Sequence, residues 1–183
     1  MQKGVVGATN LNLVLQEALN PQGEGLRRSG FVFRPGDRVM QIKNNYQLEW
    51  EVRSKYNIPV ERGTGVFNGD CGIVREINLF AEQVTVEFEE GRMVEYPFAQ
   101  LDELVLAYAI TIHKSQGSEY PAVVIPLLTG PRLLFNRNVL YTAVTRAKKC
   151  VIIVGSPDTV MHMIENVMEQ KRYSGLKRTL REM

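Results

Sequence analysis

The sequence predicts an α/β protein interrupted by a small antiparallel β module, and three observations carry that expectation. From residue 31 to about 97, apolar residues come in short alternating runs separated by turn signals. Beyond Leu101 the alternation gives way to continuous apolar runs at 104–112, 122–127 and 151–154, the pattern of strands buried on both faces. Helical spacing flanks the module, at 9–19 before it and at 133–149 and 158–169 after it.

Each element has a local reason. In 9–19, Leu11, Leu15, Ala18 and Leu19 fall at helical spacing, Thr9 or Asn10 is placed to cap the first turn, and Asn20-Pro21 stops the helix. Module strands are expected at 37–42, 72–77, 84–88 and 93–96, with turns at Asn68-Gly69-Asp70 and Glu89-Glu90-Gly91. Together they fit a small antiparallel barrel. The two later helices would cover the three continuous apolar strands, and Cys150, opening the last of these, reads as a small buried thiol. There is no internal repeat, low-complexity tract or long flexible linker.

Composition narrows the function classes. A chain of 183 residues that is 44% hydrophobic can bury one good core and at most a small second one. No apolar run approaches the roughly 20 residues needed to span a bilayer, and Met1-Gln2-Lys3-Gly4 lacks the apolar stretch of a signal peptide. A cytoplasmic protein with no membrane partner is therefore expected. Cys71 and Cys150 form no metal-ligand or disulfide pattern, so no metal site is expected. The net charge of +2 is unevenly spread. Residues 120–157 contain no acid but do contain Arg132, Arg137, Arg146, Lys148 and Lys149, which gives that stretch positive potential. Glu82, Glu87, Glu89, Glu90 and Glu95 face only Arg92 locally and read as a solvated acidic face; the basic stretch 171–178 reads as a solvated end.

Two blocks stand apart from this background. They are Thr111-Ile112-His113-Lys114-Ser115-Gln116-Gly117-Ser118-Glu119 and Tyr141-Thr142-Ala143-Val144-Thr145-Arg146-Ala147-Lys148-Lys149. The first resembles motif V and the second motif VI of superfamily 1 helicases, most closely the RecD-like branch of the exodeoxyribonuclease V alpha-subunit type. The resemblance extends over nearly the whole chain. Met1-Gln2-Lys3-Gly4 and Leu11-Asn12-Leu13-Val14-Leu15-Gln16-Glu17-Ala18-Leu19-Asn20-Pro21 resemble the stretch at and after motif IV. Gly36-Asp37-Arg38-Val39-Met40-Gln41-Ile42-Lys43-Asn44-Asn45-Tyr46 and Val66-Phe67-Asn68-Gly69-Asp70-Cys71-Gly72-Ile73-Val74 resemble the family's SH3-like barrel, although 47–65 is longer than the hairpin usual there. The resemblance implies a RecA-like second motor domain, a parallel sheet flanked by helices, with an SH3-like barrel inserted into it. It divides the chain into 1–30, 31–100 and 101–183. A phosphate-cradling loop needs a Gly-Lys pair, and none occurs here. The loop that holds ATP and Mg2+ is thus expected on an N-terminal motor domain of the same parent chain, and this stretch reads as a C-terminal fragment inactive alone.

Roles for individual residues follow. In the first block Thr111, His113, Ser115 and Gln116 are short polar groups that a strand end could present to the phosphates of single-stranded DNA. A lone His113 would ordinarily be a core or loop histidine; within nine matching residues it reads as functional. Gly117 lets the backbone pass close to a ligand, and the resemblance puts Glu119 on the nucleotide side. In the second block Arg146 is expected late in a helix, with Arg137, Tyr141 and Thr145 on one stripe. The resemblance implies that Arg146 is an arginine finger, where isolation would suggest only a helix-end cation. Lys148 and Lys149 read as helix-end cations, and Tyr141 suits packing and nucleotide contact equally. Asp102-Glu103 mimics a magnesium-binding acidic pair, but no apolar strand precedes it, so it reads as a turn leaving the barrel. Within the module, Lys43, Asn45 and Tyr46 are DNA-binding candidates beside Arg38, with Trp50 and Phe67 as either stacking rings or core. The implied activity is ATP-dependent movement along single-stranded DNA, five-prime to three-prime, with unwinding in recombination or repair and other recombination subunits as further partners. Two alternatives stand beside it: the helicase domain of a conjugative relaxase or an RNA-directed superfamily 1 motor, and a non-catalytic nucleic-acid-binding module.

Overall fold

A computed structural model describes residues 4–21, 25–28, 30–128 and 134–167. Residues 1–3, Arg132 and the basic stretch 171–178 lie outside them. The chain forms two compact units, Met1–Ser115 and Gln116–Met183.

The first unit opens with α1 (Ala8–Leu19), which departs from its expected face. Its start is at Gly7, with no side-chain cap, rather than at a Thr9 or Asn10 cap. The buried positions are Asn12 and Gln16, while Leu13, Val14 and Leu19 are exposed and Leu11 and Leu15 only half-buried. The helix is attached by polar groups because buried acceptors lie beneath it. Asn12 Nδ2 donates to the carbonyl of Ala109 at 2.9 Å while Asn12 Oδ1 accepts from the Ala109 N–H at 2.9 Å. Gln16 Nε2 donates to Val32 O and to Asp37 Oδ2 at 2.6 Å.

A short hairpin follows, β1 (Leu26–Arg28) against β2 (Phe31–Phe33). Seven strands then form one antiparallel sheet: β3 (Arg38–Gln41), β4 (Asn45–Arg53), β5 (Pro59–Val66), β6 (Cys71–Asn78), β7 (Gln83–Phe88), β8 (Arg92–Pro97) and β9 (Leu104–Leu106). Their order is β5-β4-β8-β7-β6-β3-β9. The four strands expected at 37–42, 72–77, 84–88 and 93–96 correspond to β3, β6, β7 and β8. Alternation is the cause: along β7 Val84, Val86 and Phe88 are buried and the residues between them are not, and across the ladder Val84 meets Tyr96 and Val86 meets Val94. Phe33, Val39, Val66, Val74, Leu101, Leu104 and Leu106 complete this core. The pairings form an open sheet: among the described residues no ladder joins β5 to β9.

The long 47–65 stretch is a hairpin of β4 and β5. Trp50 lies opposite Gly63, and a Cβ on Gly63 would come within 2.4 Å of the indole, so the ring occupies the space that glycine leaves. The expected turn at Asn68-Gly69-Asp70 is present, with Gly69 at φ +104 and Asp70 accepting from the Phe67 N–H. The acidic face is interleaved with arginines distant in sequence, Arg75 on Glu87 and Arg53 on Glu95.

The trailing part departs furthest from expectation. Of 104–112 only Leu104–Leu106 is a strand, and it pairs antiparallel with β3 rather than joining a parallel sheet. The parallel sheet of the second unit is a pair, β10 (Tyr120–Leu127) and β11 (Ala147–Gly155). These strands are not buried on both faces within this chain: Val124 is 60% and Ile152 49% exposed. Cys150 is likewise exposed, not buried. Helix α2 is confined to Arg137–Val144 because Asn136 Oδ1 caps the Val139 N–H and the strand takes over at Ala147. Lys148 and Lys149 are therefore strand residues, not helix-end cations. Helix α3 (Pro157–Glu165) begins under a Ser156 cap with proline in its first turn and ends before the expected 169. No described helix is long and apolar enough to cross a membrane.

Asp37 organises the first unit. It is fully buried and its carboxylate accepts from Gln16, Asn20, the Arg34 N–H and the Tyr108 hydroxyl, at 2.6–2.8 Å. Replacing it leaves four donors facing a void. Asp37→Ala is expected to lower stability by on the order of 3 kcal/mol, read as a lower urea midpoint at unchanged slope. An unchanged midpoint would show that the carboxylate does not hold α1 and Tyr108.

Candidate functional site

The residues singled out by sequence fall into three groups, and the structure joins some of them directly. The first is the approach to 111–115, in the first unit. After β9 the chain is no longer a strand, yet it is held at three successive residues. The Ala107 N–H bonds Arg38 O, the Tyr108 hydroxyl bonds Asp37, and Ala109 pairs with Asn12. The chain then closes into a turn in which the Lys114 and Ser115 N–H groups both donate to Thr111 O. Ser115 is buried and its hydroxyl donates to Ile112 O at 2.8 Å, so its role in the free protein is to close the turn. His113 at the bend is exposed, and Thr111 is half-buried. These residues are presented by a turn, not by the strand end expected at 112.

The second group lies in the second unit, where the end of the first block meets the second block. Gly117 has φ +88 and open space where a Cβ would project, a conformation that favours glycine. Gln116 and Glu119 are exposed. Parallel pairing of β10 with β11 starts here, with Tyr120 opposite Ala147 and the Tyr120 N–H donating to Arg146 O at 2.8 Å. Arg146 is not within α2 but in the two-residue link between Val144 and β11. Its guanidinium donates from Nε to Thr142 O, from one terminal nitrogen to Ser118 O at 3.1 Å, and from the other to Thr145 Oγ1. All three acceptors are uncharged. Among the described residues no carboxylate pairs with Arg146, and the five N–H groups of a guanidinium leave donors to spare. Glu119 instead pairs with Lys148 at 3.2 Å, both more than half exposed. Arg137 is tied elsewhere, donating to Ile164 O at the end of α3, and Tyr141 is exposed.

The third group is at the start of β4. Lys43 pairs with Asp102 at 2.6 Å. That hydrogen bond first, then the charge, raises the lysine pKa, and the same bond lowers that of Asp102. Asn45 donates to Glu103 Oε2, which also accepts from buried Gln41, whose own carbonyl oxygen accepts from the Tyr96 hydroxyl. Tyr46 is 68% exposed and meets Phe67 edge-on at 5.7 Å, whereas Trp50 is half-buried against the core. Asp102 and Glu103 end a 3-10 turn (Phe98–Glu103), and they anchor Lys43 and Asn45. No hydrogen bond, ion pair or ring contact links Lys43, Asn45 or Tyr46 to the 111–115 turn. Sequence reasoning missed Asn12, Asp37 and Tyr108 as supports of that turn. The one available signal was two carboxamides, Asn12 and Gln16, spaced four apart on a helix otherwise rich in leucine.

Comparison with known proteins falls on the same segments. Residues 11–88 match the family model described as the ATP-dependent RecD-like DNA helicase SH3 domain, and residues 106–154 match that of the UvrD-like helicase C-terminal domain. The chain is 36% identical over 156 residues to the ATP-dependent RecD2 DNA helicase of Deinococcus radiodurans, covering 85% of this chain and 19% of that protein. It is 30% identical over 181 residues to the RecBCD enzyme subunit RecD of Mycolicibacterium smegmatis, covering 98% of this chain and 28% of that protein. The RecD subunit of Mycobacterium tuberculosis is 35% identical over 118 residues, 64% of this chain and 20% of that protein. The chain thus spans from about a fifth to somewhat over a quarter of these relatives' length.

Burial first, then the hydrogen bond to Asp37 and its charge, pushes the Tyr108 phenol up to about 12. A raised phenol pKa means that the neutral form is favoured in the folded state. Its contribution is complete below about pH 10, the ordinary tyrosine value, and is lost as pH rises through about 12. Ultraviolet titration should show a late phenolate step that Tyr108→Phe removes; Tyr96, also pushed up by burial, remains late in both. If Tyr108→Phe instead removed a step near the ordinary tyrosine value of about 10, the Tyr108–Asp37 bond would be contradicted.

Proposed function

As this chain is a member of the RecD/UvrD-like superfamily 1 helicases, matching their C-terminal region, we propose that it forms the second motor domain of an ATP-dependent DNA helicase of RecD type. In this reading 1–30 and 101–183 make up the RecA-like motor domain, and 31–100 is an SH3-like module inserted into it. The observation that carries the reading is the bond from Arg146 to Ser118 O across the start of the β10–β11 pair. It brings the end of the first block, at Ser118, against the second block 28 residues on, with an arginine that has no carboxylate partner among the described residues. A guanidinium held only by uncharged acceptors can be given up to an anion at small electrostatic cost, which fits a phosphate.

ATP with Mg2+ supplies the phosphoryl group whose hydrolysis drives movement. Gly117, Glu119 and Arg146 are the residues of this chain that would face it, the phosphate loop and metal-holding acid coming from a first motor domain. Arg146 neutralises charge on the phosphoryl oxygens; Glu119, released from Lys148, completes the polar wall. Thr111, His113, Ser115 and Gln116 hold the phosphates of single-stranded DNA, and Lys43, Asn45 and Tyr46 add a second contact through charge and ring stacking. The parent would translocate five-prime to three-prime in the cytoplasm, in recombination or repair, with other recombination subunits as partners.

In the complete helicase, Arg146→Ala is expected to lower single-strand-stimulated ATP turnover about a thousandfold or more with DNA affinity retained. Turnover within a few-fold of the parent would return Arg146 to a structural role and favour a binding module. At the module, Lys43 must leave Asp102 to reach a phosphate. Asp102→Asn should therefore tighten single-stranded DNA severalfold at low salt, while Lys43→Met should weaken it and reduce the slope of log affinity against log salt by about 0.7. Equal slopes in the three proteins would remove Lys43 from the DNA contact.

A further inference from the structure

We propose that Asn12 is a positioning residue for the 111–115 turn, acting from α1 through the backbone of Ala109; its consequence for DNA rests on the reading of that turn given above. The carboxamide of asparagine has the same donor and acceptor as a peptide group. Here it is 5% exposed and meets both polar groups of one residue, Ala109, at 2.9 Å each. It thus stands where a neighbouring strand would stand. The chain needs such a substitute at this point because β9 ends at Leu106 and, among the described residues, no strand pairs with Tyr108 or Ala109.

Ala109 is also the last residue before the turn that is bonded to the body of the unit. Ala107 is held by β3, Tyr108 by Asp37 and Ala109 by Asn12. The next backbone hydrogen bonds along the chain are those of the turn itself, from Lys114 and Ser115 to Thr111 O. The direction in which Thr111 and His113 are offered is therefore set at Ala109. Two hydrogen bonds to the N–H and C=O of one residue hold the peptide groups on both sides of its Cα, which one bond would not. The side-chain hydrogen bonds of Asn12 go to Ala109 and not to the turn, so its effect passes through the backbone.

The location of Asn12 in a helix provides a discriminating test. Alanine is a better helix former than asparagine, so Asn12→Ala strengthens α1 itself while freeing Ala109. Hydrogen exchange in the complete helicase is expected to quicken about tenfold at the Lys114 and Ser115 amides, which Asn12 does not contact. Asn12→Asp keeps the acceptor for the Ala109 N–H but sets a carboxylate against the Ala109 carbonyl, and should quicken exchange at the same amides. Asn10→Ala, which removes only an exposed bond to Val5 O, should leave exchange there unchanged and serves as the control. In parallel, the DNA concentration that half-activates ATPase should rise about tenfold for Asn12→Ala with turnover at saturating DNA within about twofold, equivalent to about 1.4 kcal/mol. Unchanged exchange at Lys114 and Ser115 in both Asn12 variants overturns the proposal. Faster exchange with an unchanged half-activating concentration keeps Asn12 as the positioning residue and rejects instead the assignment of the turn to DNA.

Discussion

The first unit depends on one buried carboxylate that makes no ion pair among the described residues. Asp37 is held by hydrogen bonds instead: two carboxamides, a backbone N–H and a phenol converge on its two oxygens. A buried charge without such donors would be strongly unfavourable, so the four groups cannot be exchanged freely for apolar ones. They come from α1 and its end, from the loop before β3 and from the segment after β9, as far as 71 residues from Asp37 in sequence. The turn carrying Asp37 is itself constrained, since Gly36 adopts φ +89, a conformation that favours glycine. Secondary structure, docking of the helix and approach to the 111–115 turn thus share one anchor.

The second unit is built on a different constraint, the register of a single parallel pair. Pairing Tyr120 with Ala147 places Ser118 and Glu119 beside Arg146 and Lys148, so the strand ladder rather than any side chain assembles that corner. The apolar residues of β10 and β11 then project with Val124 and Ile152 uncovered. Continuous apolar runs are what a strand covered on both faces requires, and in this chain only part of that cover is supplied.

Much of the module was legible because its signal is local. Period-two alternation at 84–88 and 93–96 follows from one face being dry, and Asn68-Gly69-Asp70 turns because Gly69 must take a positive φ. What failed was arbitration between patterns of equal hydrophobicity. The run at 104–112 has the composition of a parallel strand, but β3 offered an antiparallel edge and only three residues paired with it. In α1 the leucines marked the helix but not its buried side, because the surface beneath it presents carbonyl and carboxylate oxygens that an apolar face could not satisfy. The helix expected over 133–149 covers Arg137–Val144 among the described residues, because β-branched residues from Val151 onward favour extending the strand back to Ala147.

Residue types and spacing alone single out the two blocks around His113 and Arg146 as candidates for phosphate chemistry, show that no Gly-Lys pair is present, and give the alternation that makes the module antiparallel. Each of these is a property of neighbouring positions. Which groups support the two blocks is set by the tertiary fold. That Asn12 holds Ala109, that Asp37 holds Tyr108 and that Arg146 rests on Ser118 are contacts across 97, 71 and 28 residues. Such contacts are set by where the chain returns in space, and a hydrogen-bonding side chain carries no mark in its sequence neighbourhood of the backbone it will meet.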